Sequence, residues 1–291
     1  MLRTRLIVGS VLIGLTVGML VADQYLDPYY PFLFVFVIGL SLAACNELIR
    51  LLGPNRRPQT PVCYLGVLAL GFANWLIHFP AWHPSPWPWV VAVLTGLTLT
   101  VFLYEMAFFE GSGRSVERMA LTLWVVAYLG FLPCFFAQLR WLYPASSASC
   151  GAMALTLTIF VPKSCDIGAY FVGRLLGRRP MASVLSPKKT VEGAIGGLAA
   201  AVLAAVLIDR LGPVAMLRSD WLLEIAFGLT VGTASMLGDL AESLIKRDCQ
   251  MKDASHVVPG FGGVLDVVDA VLFASPVAYG WFTLVRLTDT P

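Results

Sequence analysis

Charge is scarce in this sequence. Only 13% of its 291 residues are Asp, Glu, Lys or Arg, against 58% hydrophobic, and the mean hydropathy is +0.77. A water-soluble domain carries roughly 25% charged residues, so a soluble globule is excluded. No Gly-x-x-x-x-Gly-Lys-Ser/Thr string occurs, which excludes a P-loop. The six cysteines (Cys45, Cys63, Cys134, Cys150, Cys165 and Cys249) are scattered without paired spacing and read as small apolar residues, neither disulfides nor metal ligands. Of three histidines, His78 and His83 flank a stretch rich in Pro and Trp and read as interfacial; His256 lies in a charged segment near the C-terminus. No repeat, low-complexity tract or linker divides the chain, which reads as one integral membrane domain.

What is present is a succession of apolar runs, each long enough to cross a hydrocarbon core about 30 Å thick as a helix of about 17–25 residues. They fall near residues 6–22, 32–51, 62–79, 87–109, 121–139, 152–172, 191–211, 222–246 and 264–285. The expected fold is therefore all-α, a polytopic bundle of about nine transmembrane helices. Arg3 and Arg5 ahead of the first run also fit a secretory signal, but the run is longer than a usual signal core. Alternate loops differ in Lys and Arg. One side holds Arg3, Arg5, Arg50, Arg56, Arg57, Arg114, Arg118, Arg174, Arg178, Arg179, Lys188, Lys189, Lys246, Arg247 and Lys252; the other holds only Arg140, Arg210, Arg218 and Arg286. The positive-inside rule then predicts an inner-membrane protein with a cytoplasmic N-terminus. Because topology explains the basic residues, the net charge of +2 gives no reason to expect a nucleic-acid partner.

Polar residues divide the chain into two halves. Residues 1–150 offer little beyond Glu47, Glu105 and Glu110 near span ends and read as scaffold; residues 151–291 carry the chemistry. Lys163 and Asp166 lie in the sixth run, Ser186-Pro-Lys-Lys-Thr190 and Glu192 open the seventh, Asp239 and Glu242 sit in the eighth, and Asp266 and Asp269 in the ninth. An Asp in a span costs about 2.5–3.5 kcal/mol on translocon scales, so acids there are paired or functional.

In the eighth run Asp239, Glu242, Ser243 and Lys246 stand at i, i+3, i+4 and i+7, on one helical stripe, and Asp266 and Asp269 repeat the three-residue spacing. Like charges so close repel unless a cation lies between them. Carboxylate oxygens suit Mg²⁺, which keeps water and substrate phosphates as its remaining ligands; Asp239, Asp266 and Asp269 are the candidate ligands. The competing reading is that these acids form structural ion pairs with Lys163, Lys246, Arg247 and Lys252. The loop before the seventh run supplies the opposite sign, with Arg174, Arg178, Arg179, Lys188 and Lys189 beside the hydroxyls of Ser186 and Thr190 at a helix start, which suits phosphate. A third segment, from Lys252 and Asp253 through His256 to Gly262-Gly263, joins the last two runs; its glycines allow close backbone approach to a ligand.

These blocks, in this order over Asp166 to Ala270, resemble the phosphatidate cytidylyltransferases, or CDP-diacylglycerol synthases. The matching residues are Asp166 to Tyr170 with Gly173-Arg174; Ser186-Pro-Lys-Lys-Thr190 with Glu192-Gly193; and Gly238-Asp-Leu240, Glu242-Ser243, Lys246-Arg247, Lys252-Asp253, Pro259-Gly260, Gly262-Gly263, Asp266 and Asp269. Three positions depart from the family pattern: Phe261 stands where His is usual, Val267 where Arg is usual, and Ile167 where a hydroxyl residue is common. The resemblance implies transfer of a cytidylyl group from CTP to phosphatidic acid in the bilayer, with Mg²⁺, a second, monovalent cation, and a homodimer. It implies catalytic roles for Asp239, Lys246, Arg247, Lys252, Asp253 and Asp266. It implies substrate contacts from Asp166, Ser186, Lys188, Lys189, Thr190, Glu192, Glu242, Ser243 and His256. Two other readings stay open: a CTP-dependent enzyme acting on another lipid phosphate or a polyprenol, and an ion-coupled transporter, for which acids would be expected in both halves.

Overall fold

The computed structural model describes residues 2–76, 85–109, 111, 113–142, 148–251, 254–255, 257–260 and 262–287. His78, His83, Glu110, Lys252, Asp253, His256 and Phe261 lie outside the described residues. In chain order the helices are α1 (Leu2–Asp23), α2 (Pro31–Leu52), α3 (Thr60–Leu76), α4 (Trp87–Ala107), α5 (Ser115–Val126), α6 (Leu132–Gln138) and α7 (Ala148–Leu176). A hairpin of β1 (Pro180–Ala182) and β2 (Ser186–Thr190) follows, then α8 (Val191–Leu211), α9 (Trp221–Asp248) and α10 (Leu265–Leu287).

Among the described residues, eight helical stretches are long and apolar enough to span a membrane, and α3 is a shorter apolar helix of 17 residues. The protein is an all-α polytopic membrane bundle, as the hydropathy pattern predicts. The fifth run is composite. A π-helical segment, Ala127–Phe131, links α5 to α6, and the Leu132 N–H reaches back to the Ala127 carbonyl. Pro133, one residue on, has no N–H to donate and its ring crowds the preceding turn, which accounts for the wider winding there.

The chain forms two compact units. One comprises Met1–Ala137 with Asp253–Val267, the other Gln138–Lys252 with Val268–Pro291. In the first, α2 starts at Pro31, and the buried Asp23 carboxylate receives the N–H groups of Phe32 (3.1 Å) and Leu33 (2.7 Å) that the new helix leaves unpaired. Glu105 on α4 is buried and paired: it accepts from Gln59 Nε2 at 2.8 Å and forms an ion pair with Arg118. The apolar core of this unit brings Val62, Leu70 and Ala73 of α3 against Val90, Leu97 and Val101 of α4, with Val126 and Cys134.

In the second unit α7 and α8 pack through small residues, the device by which membrane helices gain contact without a hydrophobic driving force. A Cβ on Gly168 would lie 2.5 Å from Ala200 Cβ and 2.8 Å from the Gly196 carbonyl, and one on Gly197 would lie 2.8 Å from the Cys165 carbonyl. Gly96 on α4 has nothing within 4 Å of such an atom. Gly168→Val should therefore lower unfolding stability in detergent by about 1–3 kcal/mol through overpacking, whereas Gly96→Val should leave the thermal midpoint nearly unchanged. A thermal melt of both variants checks the contrast.

Candidate active site

The hairpin is an element that the apolar pattern does not announce. Pro180 pairs with Thr190 and Ala182 with Ser186, so the basic loop is folded back on itself as a short antiparallel pair with an irregularity between the two pairings. The strands are short, lack alternation and contain Pro180 and Pro187, which signal a loop when read alone. At its end, Thr190 caps α8 by accepting the Gly193 N–H at 3.1 Å. Glu192 Oε2 accepts from the backbone N–H groups of Arg178 (3.0 Å) and Arg179 (3.2 Å), so its carboxylate fixes the start of the hairpin. Arg247 Nε, from α9, donates to the Leu185 carbonyl at the turn, 3.2 Å away. Lys188 is exposed and Ser186 is half-buried.

Beside the hairpin, α9 presents the predicted stripe. Asp239 is half-buried and forms an ion pair with Lys189 of β2. Glu242, 1% exposed, pairs with Lys246 one turn on, and Ser243 is buried next to it. Gly238 explains how α10 comes near this stripe: a Cβ there would lie 2.6 Å from the Asp269 carbonyl oxygen and 3.3 Å from Ala270 Cα. The result is a group of three carboxylates, Asp239, Glu242 and Asp269, each offering an oxygen within 4.8 Å of the others. Lys163 and Asp166 form an ion pair on α7 at 3.7 Å.

The structure thus brings together Asp239 and Asp269 of the expected cation ligands and adds Glu242, which the resemblance assigned to substrate contact. Asp266 is engaged at its Oδ2, which accepts from the backbone N–H groups of Ala254 (3.2 Å) and Gly263 (2.7 Å). Lys252, Asp253 and His256 lie outside the described residues. Glu47 is a residue that the sequence left in the scaffold: it accepts from the Ser255 hydroxyl and from the Val264 and Leu265 backbone. Only its being an acid in an apolar run could have drawn attention to it.

Three carboxylates at this distance, with all-oxygen donors, match a hard divalent cation. Mn²⁺ binding followed by electron paramagnetic resonance should weaken about 10–100-fold in Asp269→Asn and in Glu242→Gln, on the scale of a disturbed ligand shell. Gly238→Ala, which removes no charge, should weaken it as well by moving α10 away from α9. Unchanged Mn²⁺ affinity in all three would show that the acids serve only as ion-pair partners.

Comparison with known proteins finds similarity over most of the chain. The profile of the Cytidylyltransferase family matches residues 3–285. A phosphatidate cytidylyltransferase from Synechocystis is 28% identical over 307 residues, covering 97% of both chains. One from Chlamydia trachomatis is 29% identical over 284 residues, covering 94% of this chain and 90% of its own. One from Bacillus subtilis is 35% identical over 188 residues, covering 65% of this chain and 64% of its own. Since the match runs through the scaffold helices as well as the charged stripe, hairpin and glycine pair, this chain belongs to the cytidylyltransferase family.

Proposed function

We propose that this membrane protein transfers the cytidylyl group of CTP to phosphatidic acid, giving CDP-diacylglycerol and pyrophosphate. The observation that carries the reading is the meeting of Lys189, from the Ser-Pro-Lys-Lys-Thr hairpin, with Asp239 of the three-carboxylate group. A cation site and a phosphate-binding lysine then face the same ligand, as a nucleoside triphosphate with its metal requires. The family relatives, which are named for this reaction, support it.

In the proposed chemistry an oxygen of the lipid phosphate attacks the α-phosphorus of CTP. The bond from that phosphorus to the bridging oxygen breaks, and pyrophosphate leaves with the electron pair. Asp239, Glu242 and Asp269 would hold Mg²⁺, which supplies charge neutralisation on the phosphates when bound. Lys188 and Lys189 bind the triphosphate from the hairpin, and Lys246, anchored on Glu242, reaches the same space from α9. Arg247 holds the hairpin turn while keeping guanidinium donors for phosphate. Glu192 and Thr190 set the hairpin on the N-terminus of α8, whose dipole favours anions. Positioning and charge stabilisation supply the catalysis, and no protein nucleophile is required. Lys252, Asp253 and His256 belong to this proposal on the resemblance alone, as do the second cation and the homodimer. The Lys and Arg distribution supports an inner-membrane location with the site facing the cytoplasm.

The test is pyrophosphate release from labelled CTP by purified protein in detergent, with phosphatidic acid and Mg²⁺. Turnover should depend on the lipid and fall about 100-fold or more in Lys189→Ala and Asp269→Asn, as loss of a group that stabilises transition-state charge does. Folded wild-type protein that turns over a polyprenyl phosphate and not phosphatidic acid would transfer the assignment to another lipid acceptor.

A further inference from the structure

One carboxylate of the scaffold half is spent on the segment that leads into α10. Glu47, on α2 and 4% exposed, accepts on Oε1 from Ser255 Oγ (2.6 Å) and the Val264 N–H (3.0 Å), and on Oε2 from the Leu265 N–H (2.8 Å). Val264 and Leu265 stand at the start of α10, where N–H groups have no partner within the helix and the dipole favours an anion. The group that meets them is 217 and 218 residues away in the chain. A local Ser or Asp would cap the helix without burying a glutamate in an apolar helix, so the long-range arrangement fixes something that a local cap would not: where the segment runs.

Asp266 holds the same segment through Ala254 and Gly263, and a backbone bridge between Val258 and Gly262 closes it. The Gly262-Gly263 pair follows from these two acids. A Cβ on Gly263 would lie 2.5 Å from Glu47 Oε2, and one on Gly262, where φ is +112°, would lie 2.7 Å from Asp266 Oδ2. The glycines leave room for the carboxylates to reach the backbone.

Building on the cytidylyl-transfer reading above, we propose that Glu47 is a positioning residue for the reaction. It acts through segment 254–265, which follows directly on Lys252 and Asp253 in the chain and opens the helix that bears Asp269. Glu47 itself touches no substrate. Its role is to hold the path of the segment while the reacting groups are provided by residues on either side of it.

The test uses the full-length protein in detergent with Glu47→Ala, Glu47→Gln and Ser255→Ala. Three quantities are read: hydrogen exchange of the peptide covering 254–267, the number of CTP sites per chain with labelled CTP, and turnover per CTP site. In Glu47→Ala the amides of Val264 and Leu265 should exchange roughly tenfold faster or more, since loss of bonds to a charged acceptor releases them locally. Turnover per CTP site should fall by a similar factor at unchanged stoichiometry. Glu47→Gln, whose single side-chain oxygen cannot serve all three donors, should fall between Glu47→Ala and wild type, and Ser255→Ala should be milder still. Unchanged exchange, or turnover that drops only in step with the number of chains that bind CTP, would overturn the proposal. Should Glu47→Ala not fold, the other two variants decide it. Wild-type protein that transfers nothing to phosphatidic acid would sink the reaction, while the exchange comparison would still decide whether Glu47 holds the segment.

Discussion

An acid inside an apolar helix must be compensated, and this requirement orders much of the structure. In most places it is met within a small set of partners. Glu105 has Arg118 and Gln59; Glu224, on α9, takes Arg210 at 2.8 Å; Asp209 accepts the backbone N–H groups of Leu217 and Ser219 at 2.7 and 3.0 Å. These arrangements neutralise charge or satisfy a turn, and they end there. At the meeting of α9 and α10 the rule is stretched: Asp239, Glu242 and Asp269 converge, with Lys189 and Lys246 at their flanks. Convergence of like charge is costly without a cation, and it distinguishes this region from the paired acids elsewhere.

The sequence revealed the spans because hydropathy over about 20 residues is a strong signal, and α8 begins and ends where its apolar run does. It did not reveal the start of the fifth span, since the first turn of α5, Ser115-Val-Glu-Arg118, carries two charged residues and a serine. The hairpin escaped because its strands have three and five residues and too little alternation to stand out. At the site, the stripe on α9 was legible from helical spacing alone. What spacing could not tell was how each oxygen is used. Glu242 and Asp269 lie 27 positions apart and meet only because Gly238 admits the backbone of α10; the carboxylate of Glu192 turns to the backbone of the hairpin; and Glu47 finds its partners across most of the chain.

Of the three departures from the pattern of the resemblance, Ile167 stands on α7, Val267 stands in the first turn of α10, and Phe261 lies outside the described residues. At position 267, where Arg is usual, the Val267 N–H donates to the Val264 carbonyl at 3.1 Å, a backbone bond that does not depend on the side chain. The turn into α10 is therefore retained while a cationic side chain is not.

The glycine seam between α7 and α8 bears on motion as well as stability. Helices that mesh backbone against side chain at Gly168, Gly193 and Gly197 have no smooth surface along which to slide, so small shear steps of the kind that packed helices use are closed to this pair. The hairpin is tethered at one end to α7 and at the other to α8, and Thr190 rests against Gly173 and Gly177. Helices and hairpin should travel as a single rigid body, and any opening that admits a two-tailed lipid must be sought in a hinge elsewhere in the chain.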